Sequence, residues 1–223
     1  MHSHLIPGID DGAQSLEESV ALLKGLQSLG YKKIITTPHI YKEYYPNSSD
    51  IILRGLDKLR AHLEEIDLEV EIEAAAEYFM DEHFEELLQK EDLLSFGQQY
   101  VLVEMSFYYE TPKVFDYIFQ LCAKGYRPIL AHPERYLYYG KDTSKYHEFK
   151  ERGCLLQLNL LSLMGYYGKA IQQNAARLAK EDLFDFVGTD LHKERQLKVL
   201  EAALTQSKTI KLLESRQFLN YLL

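Results

Sequence analysis

The chain has no tryptophan, and only two of its 223 residues are cysteine, Cys122 and Cys154. Two thiols cannot build the disulfide framework of a small secreted domain, and without paired spacing they do not make a structural zinc site. Both read as buried small hydrophobes. Long apolar runs are missing as well. No stretch approaches the roughly 20 residues that span a bilayer, and no charged segment followed by an apolar signal core opens the chain. We therefore expect a cytoplasmic protein with no membrane insertion. Positive charge is the third deficit: 25 Lys and Arg stand against 34 Asp and Glu, a net charge of -9. Such a surface repels phosphate backbones unless a basic groove overrides it, and no run of Lys and Arg is long enough to build one. A nucleic-acid partner is not expected.

What is present fits one domain over residues 1–223, with 46% hydrophobic and 26% charged residues. Six short apolar runs, at 33–37, 69–76, 100–103, 127–131, 154–158 and 183–188, read as buried strands. Helical patterns lie between them, at 15–29, 51–65, 82–90, 113–124, 144–152, 169–179, 194–205 and 209–220. The first carries Leu16, Val20, Leu23 and Leu26 on one face, opens on a Ser15-x-x-Glu18 capping box and stops at Gly30. Gly125 and Gly153 are expected as C-terminal caps. With the opening residues as the end of a first strand, there are seven β/α units. That order suits a parallel sheet, closed into a barrel or wound open.

Polar residues follow the strands in a pattern. His39, Glu77, Glu104, His132 and Asn159 come just past the first five runs, and Asp190 and His192 follow the last. His2 and His4 are two apart, so they share one face of an extended chain, and Asp190 with His192 repeats that geometry. Asp10 and Asp11 add carboxylates near the first pair. In parallel α/β folds the site forms at the carboxyl ends of the strands, where this pattern gathers its polar residues. Each residue alone is more simply a helix cap or a satisfied hydrogen-bond partner. Together they are imidazoles and carboxylates without thiolates, a set that favours manganese, iron or zinc and is too large for a single ion.

The motifs His2-Ser3-His4, Pro7-Gly8-Ile9-Asp10-Asp11-Gly12, Thr37-Pro38-His39, Ala75-Ala76-Glu77, Val103-Glu104-Met105-Ser106-Phe107, Ala131-His132-Pro133-Glu134-Arg135, Gln157-Leu158-Asn159 and Gly188-Thr189-Asp190-Leu191-His192 run the length of the chain. In this order they resemble the polymerase and histidinol phosphatase (PHP) superfamily. Within it, the chain is most similar to the bacterial manganese-dependent protein-tyrosine phosphatases of capsule and exopolysaccharide synthesis. The resemblance implies a distorted seven-stranded β/α barrel with three divalent ions, Mn2+ first and Fe or Zn as alternatives. It implies His2, His4, Asp11, His39, Glu77, Glu104, His132, Asp190 and His192 as metal ligands, with Glu77 bridging two ions. Arg135 matches a phosphate-binding arginine, and Arg195 approximates a second one. Members carry an apolar strand and an aspartate ahead of the first histidine, whereas this sequence begins one residue before His2.

The implied chemistry follows from charge. A phosphate monoester carries about two negative charges, and divalent ions with Arg135 can neutralise them while a metal hydroxide attacks in line. Asp190 and His192 join Arg135 as the catalytic candidates, with His192 a possible proton donor to the leaving group. A phenolate, of parent pKa about 10, leaves more readily than an alkoxide. Neither Cys is followed by the Cys-x5-Arg arginine, since Pro128 and Leu160 stand there, and no Gly-x-Ser-x-Gly elbow occurs. The leading expectation is a protein-tyrosine phosphatase acting on the tail of an autophosphorylated bacterial kinase. The alternatives are a small-molecule phosphatase of histidinol phosphate type and a noncatalytic metal-bound regulator docked on a kinase. Seventeen tyrosines bear on the choice. Tyr41, Tyr44, Tyr45, Tyr78, Tyr108, Tyr109, Tyr136, Tyr138, Tyr139, Tyr166 and Tyr167 follow expected strand ends, so they either pack into loops or form a rim for an aromatic or extended substrate. Tyr108 and Tyr109 are the rim pair expected to touch it.

Overall fold

The computed structural model describes every residue from Met1 to Leu223. Eight short strands alternate with helices: β1 (Lys33–Thr36), β2 (His39–Ile40), β3 (Glu71–Ala74), β4 (Glu77–Phe79), β5 (Tyr100–Glu104), β6 (Arg127–Ala131), β7 (Leu155–Asn159) and β8 (Phe186–Gly188). The helices are α1 (Leu16–Ser28), α2 (Ser49–Glu65), α3 (Glu82–Lys90), α4 (Val114–Ala123), α5 (Ser144–Glu151), α6 (Leu160–Leu163), α7 (Lys169–Lys180), α8 (Glu194–Thr205) and α9 (Ser207–Glu214). Every strand pairing is parallel. The α/β class with a parallel sheet is as expected.

The strand pairing is not one closed seven-stranded barrel. It forms a two-stranded sheet, β1-β3, and a six-stranded sheet in the order β2-β4-β5-β6-β7-β8. The cause lies at the ends of the first two runs, where pairing breaks at Thr37-Pro38 and at Ala75-Ala76 and a further short strand, β2 or β4, follows beyond the run. Pro38 has no N–H to offer a ladder. The opening residues add a single bridge, Ser3 to Leu191, instead of a strand. They are nonetheless tied on both sides. Asp190 N–H donates to the His2 carbonyl and His4 N–H to the Leu191 carbonyl, both at 2.9 Å, while Thr37 N–H donates to the Ser3 carbonyl at 2.7 Å.

Strand alternation sorts the core into two faces. In β5, Val101 and Val103 pack with helix residues such as Leu26, Ile118 and Leu121. Tyr100 and Leu102 point to the opposite face, against Ile35, Phe96, Ile129 and Phe186. Gly125 and Gly153 follow α4 and α5 in left-handed backbone, φ 84° and 90°, which lets the chain turn sharply into the next strand. At α1 the Ser15 hydroxyl accepts from Glu18 N–H at 3.2 Å. The Glu18 carboxylate accepts from Gln14 N–H instead of Ser15, so half of the expected box forms.

Three local expectations are corrected. Cys154 is buried but Cys122 is exposed, because it lies on the outer side of α4 with its Sγ 3.8 Å from the Arg152 carbonyl. The helix expected to 220 ends at Glu214, and a short 3-10 turn, Leu219–Leu222, follows. There the Asn220 side chain pairs with both N–H and C=O of Val187 at 2.9 Å, a tertiary contact that wins over local helix propensity. The four-residue α6 was not expected; Asn159 caps it by accepting from Leu161 N–H at 3.0 Å.

Candidate metal centre

The structure brings His2, His4, Asp11, His39, Glu77, Glu104, His132, Asp190 and His192 together: Glu104 ends β5, His132 and Asp190 follow β6 and β8, and His39 and Glu77 open β2 and β4 just past β1 and β3. Glu77 is central and fully buried. Its Oε2 lies 3.2 Å from His2 Nε2, 3.4 Å from His4 Nε2 and 3.3 Å from His39 Nδ1, and its Oε1 lies 3.0 Å from His132 Nε2. Asp190 Oδ1 is 3.2 Å from His2 Nε2 and 3.6 Å from His4 Nε2. Glu104 Oε1 reaches His39 Nδ1 at 3.0 Å. Asp11, half-exposed in the turn after the opening segment, places Oδ1 3.4 Å from His192 Nε2 and 3.5 Å from His39 Nε2.

Three groups of possible ligands emerge, each with its atoms within 4.8 Å of one another: His4, Asp11, His39 and His192; His2, His4, Glu77 and Asp190; and His39, Glu77 and Glu104. Each pair of groups shares one residue: His4, Glu77 or His39. The donor chemistry suits a divalent ion because several buried atoms lack any hydrogen bond, namely Nε2 of His2, Nε2 of His4 and Oε2 of Glu77. An unsatisfied buried polar group costs about 1–3 kcal/mol, and a cation between these atoms would remove that cost. Burial opposes charge on these side chains, yet Glu77 and Asp190 together push His2 up to about 10. Burial likewise works against Glu77 and Asp190, and the surrounding imidazoles still hold both well below the usual carboxylate range. His132 moves the other way, lowered by burial and by the Arg135 charge. With the imidazoles neutral, the carboxylates of Asp11, Glu77, Glu104 and Asp190 outnumber the Arg135 charge, so the centre attracts cations.

Local backbone is adapted to this convergence. His2, His132 and Asp190 occupy left-handed conformations, φ 65°, 36° and 49°, each costing about 1–3 kcal/mol for a side chain of this kind. Gly12 passes so close under His4 that a Cβ there would collide with the His4 carbonyl. The metal candidates are also held from behind, which the sequence reading missed. Asp10 Oδ2 lies 2.8 Å from His4 Nδ1, and it also accepts from His39 N–H at 3.1 Å. Gln157 Oε1 lies 2.6 Å from His2 Nδ1. Such partners fix the ring orientation and leave Nε2 facing the centre. Gln157 and Asn159, two apart on β7, share a face, and Asn159 Nδ2 donates to Asp190 Oδ2 at 2.9 Å. The spacing was available as a signal, but a lone Gln carries none of the metal-ligand chemistry that drew attention to His and Glu. Gln196 Oε1 accepts from His192 N–H at 2.7 Å, so the first turn of α8 fixes that segment.

A cavity of about 330 Å3 opens over the cluster, lined by most of these residues together with Phe107, Arg135, Tyr166, Tyr167 and Arg195. Arg135 Nη1 donates to Asp190 Oδ2 at 3.0 Å. Arg195 sits between this cavity and a second one of about 650 Å3 beside Glu17 and Glu18. The expected tyrosine rim divides. Tyr78 and Tyr136 are core residues, their hydroxyls accepting from Leu94 N–H at 2.6 Å and Met105 N–H at 3.1 Å. Tyr138 and Tyr139 pack against the core. Tyr45 stacks on His39, with centroids 5.2 Å apart, and Tyr41 stacks on Phe79. Tyr166 and Tyr167 line the cavity, whereas Tyr44, Tyr108 and Tyr109 are exposed outside it, Tyr108 at 89%. Strand-end position alone cannot tell these apart, since loops fold back on the core.

Comparison with known proteins agrees with this geometry. Over 211 residues the chain is 29% identical to the tyrosine-protein phosphatase YwqE of Bacillus subtilis (strain 168), covering 93% of this chain and 83% of that protein. It is 27% identical over 196 residues to the putative tyrosine-protein phosphatase CapC of Staphylococcus aureus, covering 86% and 76%. With the tyrosine-protein phosphatase CpsB of Streptococcus pneumoniae it shares 27% over 198 residues, covering 86% and 82%. A chain from the crystal structures of YwqE and CpsB, described as unique metal-dependent tyrosine phosphatases, superposes with a TM-score of 0.81 at 28% identity, covering 96% of this chain and 90% of that one. The profile of the capsular polysaccharide synthesis CpsB/CapC family matches residues 1–212, and the chain belongs to that family.

Proposed function

We propose that the protein is a metal-dependent protein-tyrosine phosphatase, a phosphoric monoester hydrolase. The observation that carries this reading is the triangle of ligand groups joined at His4, His39 and Glu77, with unpartnered buried atoms at its centre and Arg135 at its edge. The relatives named for tyrosine phosphatase activity support the substrate class. In this reading three divalent ions are held by His2, His4, Asp11, His39, Glu77, Glu104, His132, Asp190 and His192. Manganese fits an imidazole and carboxylate set without thiolates, and iron or zinc fits the same donors. When bound, the ions neutralise the phosphate and lower the pKa of water so that a nucleophile exists near pH 7. The rest is done by side chains. Arg135 takes the nonbridging oxygens through charge-assisted hydrogen bonds, and Arg195 reaches the same cavity from the start of α8. Asp190, fixed by Asn159, holds Arg135 at the cavity wall. His192, which lines the cavity, would supply a proton to the departing oxygen, and a phenolate of parent pKa about 10 needs little of that help.

The wider context belongs to the same proposal. The substrate would be the tail of a bacterial tyrosine kinase that controls capsule or exopolysaccharide synthesis, met in the cytoplasm. No helix is long and apolar enough to cross a membrane. A single domain over 1–223 is supported by one apolar cluster running from Leu5 to Leu200. A distorted seven-stranded barrel is supported by the backbone bonds from the opening residues to Asp190, Leu191 and Thr37.

The test is phosphate release with added manganese from a phosphotyrosine peptide and from histidinol phosphate at equal concentration. Preference for the peptide, abolished by a chelator, is expected. Preference for histidinol phosphate would replace this reading with a small-molecule phosphatase, and no release from either would leave a noncatalytic regulator. Arg135→Ala should lower kcat/KM by about 10^2-fold, the scale of one lost preorganised donor, at unchanged metal content. Metal lost from the purified variant would remove Arg135 from the substrate-binding role.

A further inference from the structure

We propose that Tyr167 is a positioning residue whose ring holds the Arg135 guanidinium edge-on to the incoming phosphate, an inference that rests on the phosphatase reading of the same site. Two rings flank Arg135. Its Cζ lies over the ring of Phe107, 4.1 Å from the centroid, and over that of Tyr167, 4.4 Å from the centroid. A guanidinium carries its five N–H donors around its edge and none on its faces. Rings packed against its central carbon therefore cover the weakly hydrated part and leave the edge donors free. Only one hydrogen bond is made by that edge, from Nη1 to Asp190 Oδ2 at 3.0 Å. The other donors have no protein partner and border the cavity over the metal cluster.

Tyr167 is itself fixed. Its hydroxyl lies 3.3 Å from Asn159 Nδ2 and 3.4 Å from Asp190 Oδ2. It stands in the connection from α6 to α7, bracketed by Gly165 and Gly168 in left-handed backbone, φ 73° and 101°. The two oxygens of Asp190 consequently face different groups. Oδ1 looks toward His2, His4 and His192, while Oδ2 is shared by Arg135, Asn159 and Tyr167. If the phosphate draws Nη1 away, Asn159 and Tyr167 still hold Oδ2, so Asp190 keeps its orientation toward the imidazoles. One side chain thus serves Arg135 with its ring and Asp190 with its hydroxyl. Phe107 supplies only a ring.

The experiment compares Tyr167→Leu, Tyr167→Phe and Phe107→Leu with the wild type, all manganese-loaded. It measures calorimetric binding of inorganic phosphate, KM and kcat for 4-nitrophenyl phosphate, and bound manganese. Tyr167→Leu should weaken phosphate binding and raise KM by about tenfold, with kcat within about threefold, the range of a desolvated cation–π contact. Phe107→Leu, at a half-exposed position, should move phosphate binding in the same direction. Tyr167→Phe keeps the ring and should hold phosphate binding within about twofold of the wild type. Unchanged phosphate binding in Tyr167→Leu overturns the proposal. So does equal loss in Tyr167→Phe, which would assign the effect to the hydroxyl, or loss of manganese from Tyr167→Leu. If the wild type binds phosphate yet hydrolyses no ester, the phosphatase reading fails while the calorimetry still decides the role of the ring.

Discussion

The two ends of the same strands are built on opposite principles. Nearer the amino ends, Tyr100 and Phe186 meet edge-to-face with centroids 5.1 Å apart, and Ile35, Phe96, Leu102 and Ile129 pack with them in an apolar cluster that reaches up to Ala75 and Ala131. At the carboxyl ends, a few residues further along, stand Glu104 and Asp190, with buried imidazoles around them. One strand, β5, carries Tyr100 at its start and Glu104 at its end. Left-handed backbone at Gln99 and the unpartnered Tyr100 hydroxyl lie at the first end, but left-handed His2, His132 and Asp190 and the unpartnered imidazole and carboxylate atoms of His2, His4 and Glu77 are gathered at the second. The contrast implies a division of labour, in which apolar packing at one end offsets strain and unmet polarity at the other.

The sharpest way to break that comparison is Glu77→Gln, which keeps the shape but removes the charge that His2, His4, His39 and His132 share. Phosphate release should fall by about 10^3-fold, the upper range for losing a preorganised electrostatic contact, and bound manganese should fall with it. Normal metal content and rate would show that the triangle of ligand groups does not carry the chemistry. At the opposite end, Phe186→Ala should cost about 3–5 kcal/mol of unfolding free energy in denaturant melts. Its kcat per folded molecule should fall far less than that of Glu77→Gln, because Phe186 carries no ligand atom and its link to the cluster runs through Gln157, its partner across β7 and β8. A large fall in kcat at unchanged stability would mean that the two ends are not separable.

Much of this division was legible in the sequence. The strand runs at 100–103 and 127–131 reappear as β5 and β6, and the polar residue that ends each run reaches the cluster. His2 with His4 and Asp190 with His192 do reach one cluster, but not through the alternation of extended chain that their spacing suggested, because His2 and Asp190 stand in left-handed backbone. What could not be read is non-local. The strands β2 and β4 follow breaks at Thr37-Pro38 and Ala75-Ala76, past the ends of the expected runs, and the helix expected to 220 gives way where Asn220 pairs with Val187 across 33 positions of sequence. Asp10, Gln157 and Asn159 act by orienting other side chains, and that role has no residue-type signature. Tyrosine position was the weakest signal, since a loop residue after a strand can turn into the core, as Tyr78 and Tyr136 do, or out to solvent, as Tyr108 does.

The charged end should also respond to pH in a way that the apolar end cannot. In chelated protein His2 is pushed up to about 10 and His39 to about 8, against burial, chiefly by Glu77 and Asp190 for the first and Glu104 for the second. Raised imidazoles stabilise fully below the unfolded value of about 6.5, and that contribution is lost as pH rises through 8 and then 10. The depressed Glu77 and Asp190 contribute above about pH 4 and lose their effect only on acidification. His132, lowered, trims the gain below about 6.5. Chelated protein should therefore lose Tm between about pH 6.5 and 9. With manganese the ions replace those protons, so Tm should hold or rise over the same interval. Thermal melts with and without chelator check this, and parallel curves would remove the cluster from the explanation.

The smallest effect should come from a contrast within the carboxyl end itself, between aromatic residues that line the cavity and those outside it. Tyr108 and Tyr109 stand exposed in the loop after β5, next to Phe107, which does line the cavity. A small aryl phosphate that fills the cavity has no reason to reach them. A polypeptide continuing on either side of the phosphotyrosine must cross the cavity edge, where flat amphipathic rings offer contact with little loss of side-chain freedom. Tyr108→Ala combined with Tyr109→Ala should raise KM for a phosphotyrosine peptide by about three- to tenfold, the scale of one or two aromatic contacts. KM for 4-nitrophenyl phosphate should stay within about twofold, since no contact with that substrate is lost. Equal losses on both substrates would mean that the pair supports Phe107 and the loop, and that extended substrates are recognised elsewhere. The cavity beside Arg195, Glu17 and Glu18 would then be the place to look, because it shares His192, Lys193 and Arg195 with the cavity over the cluster.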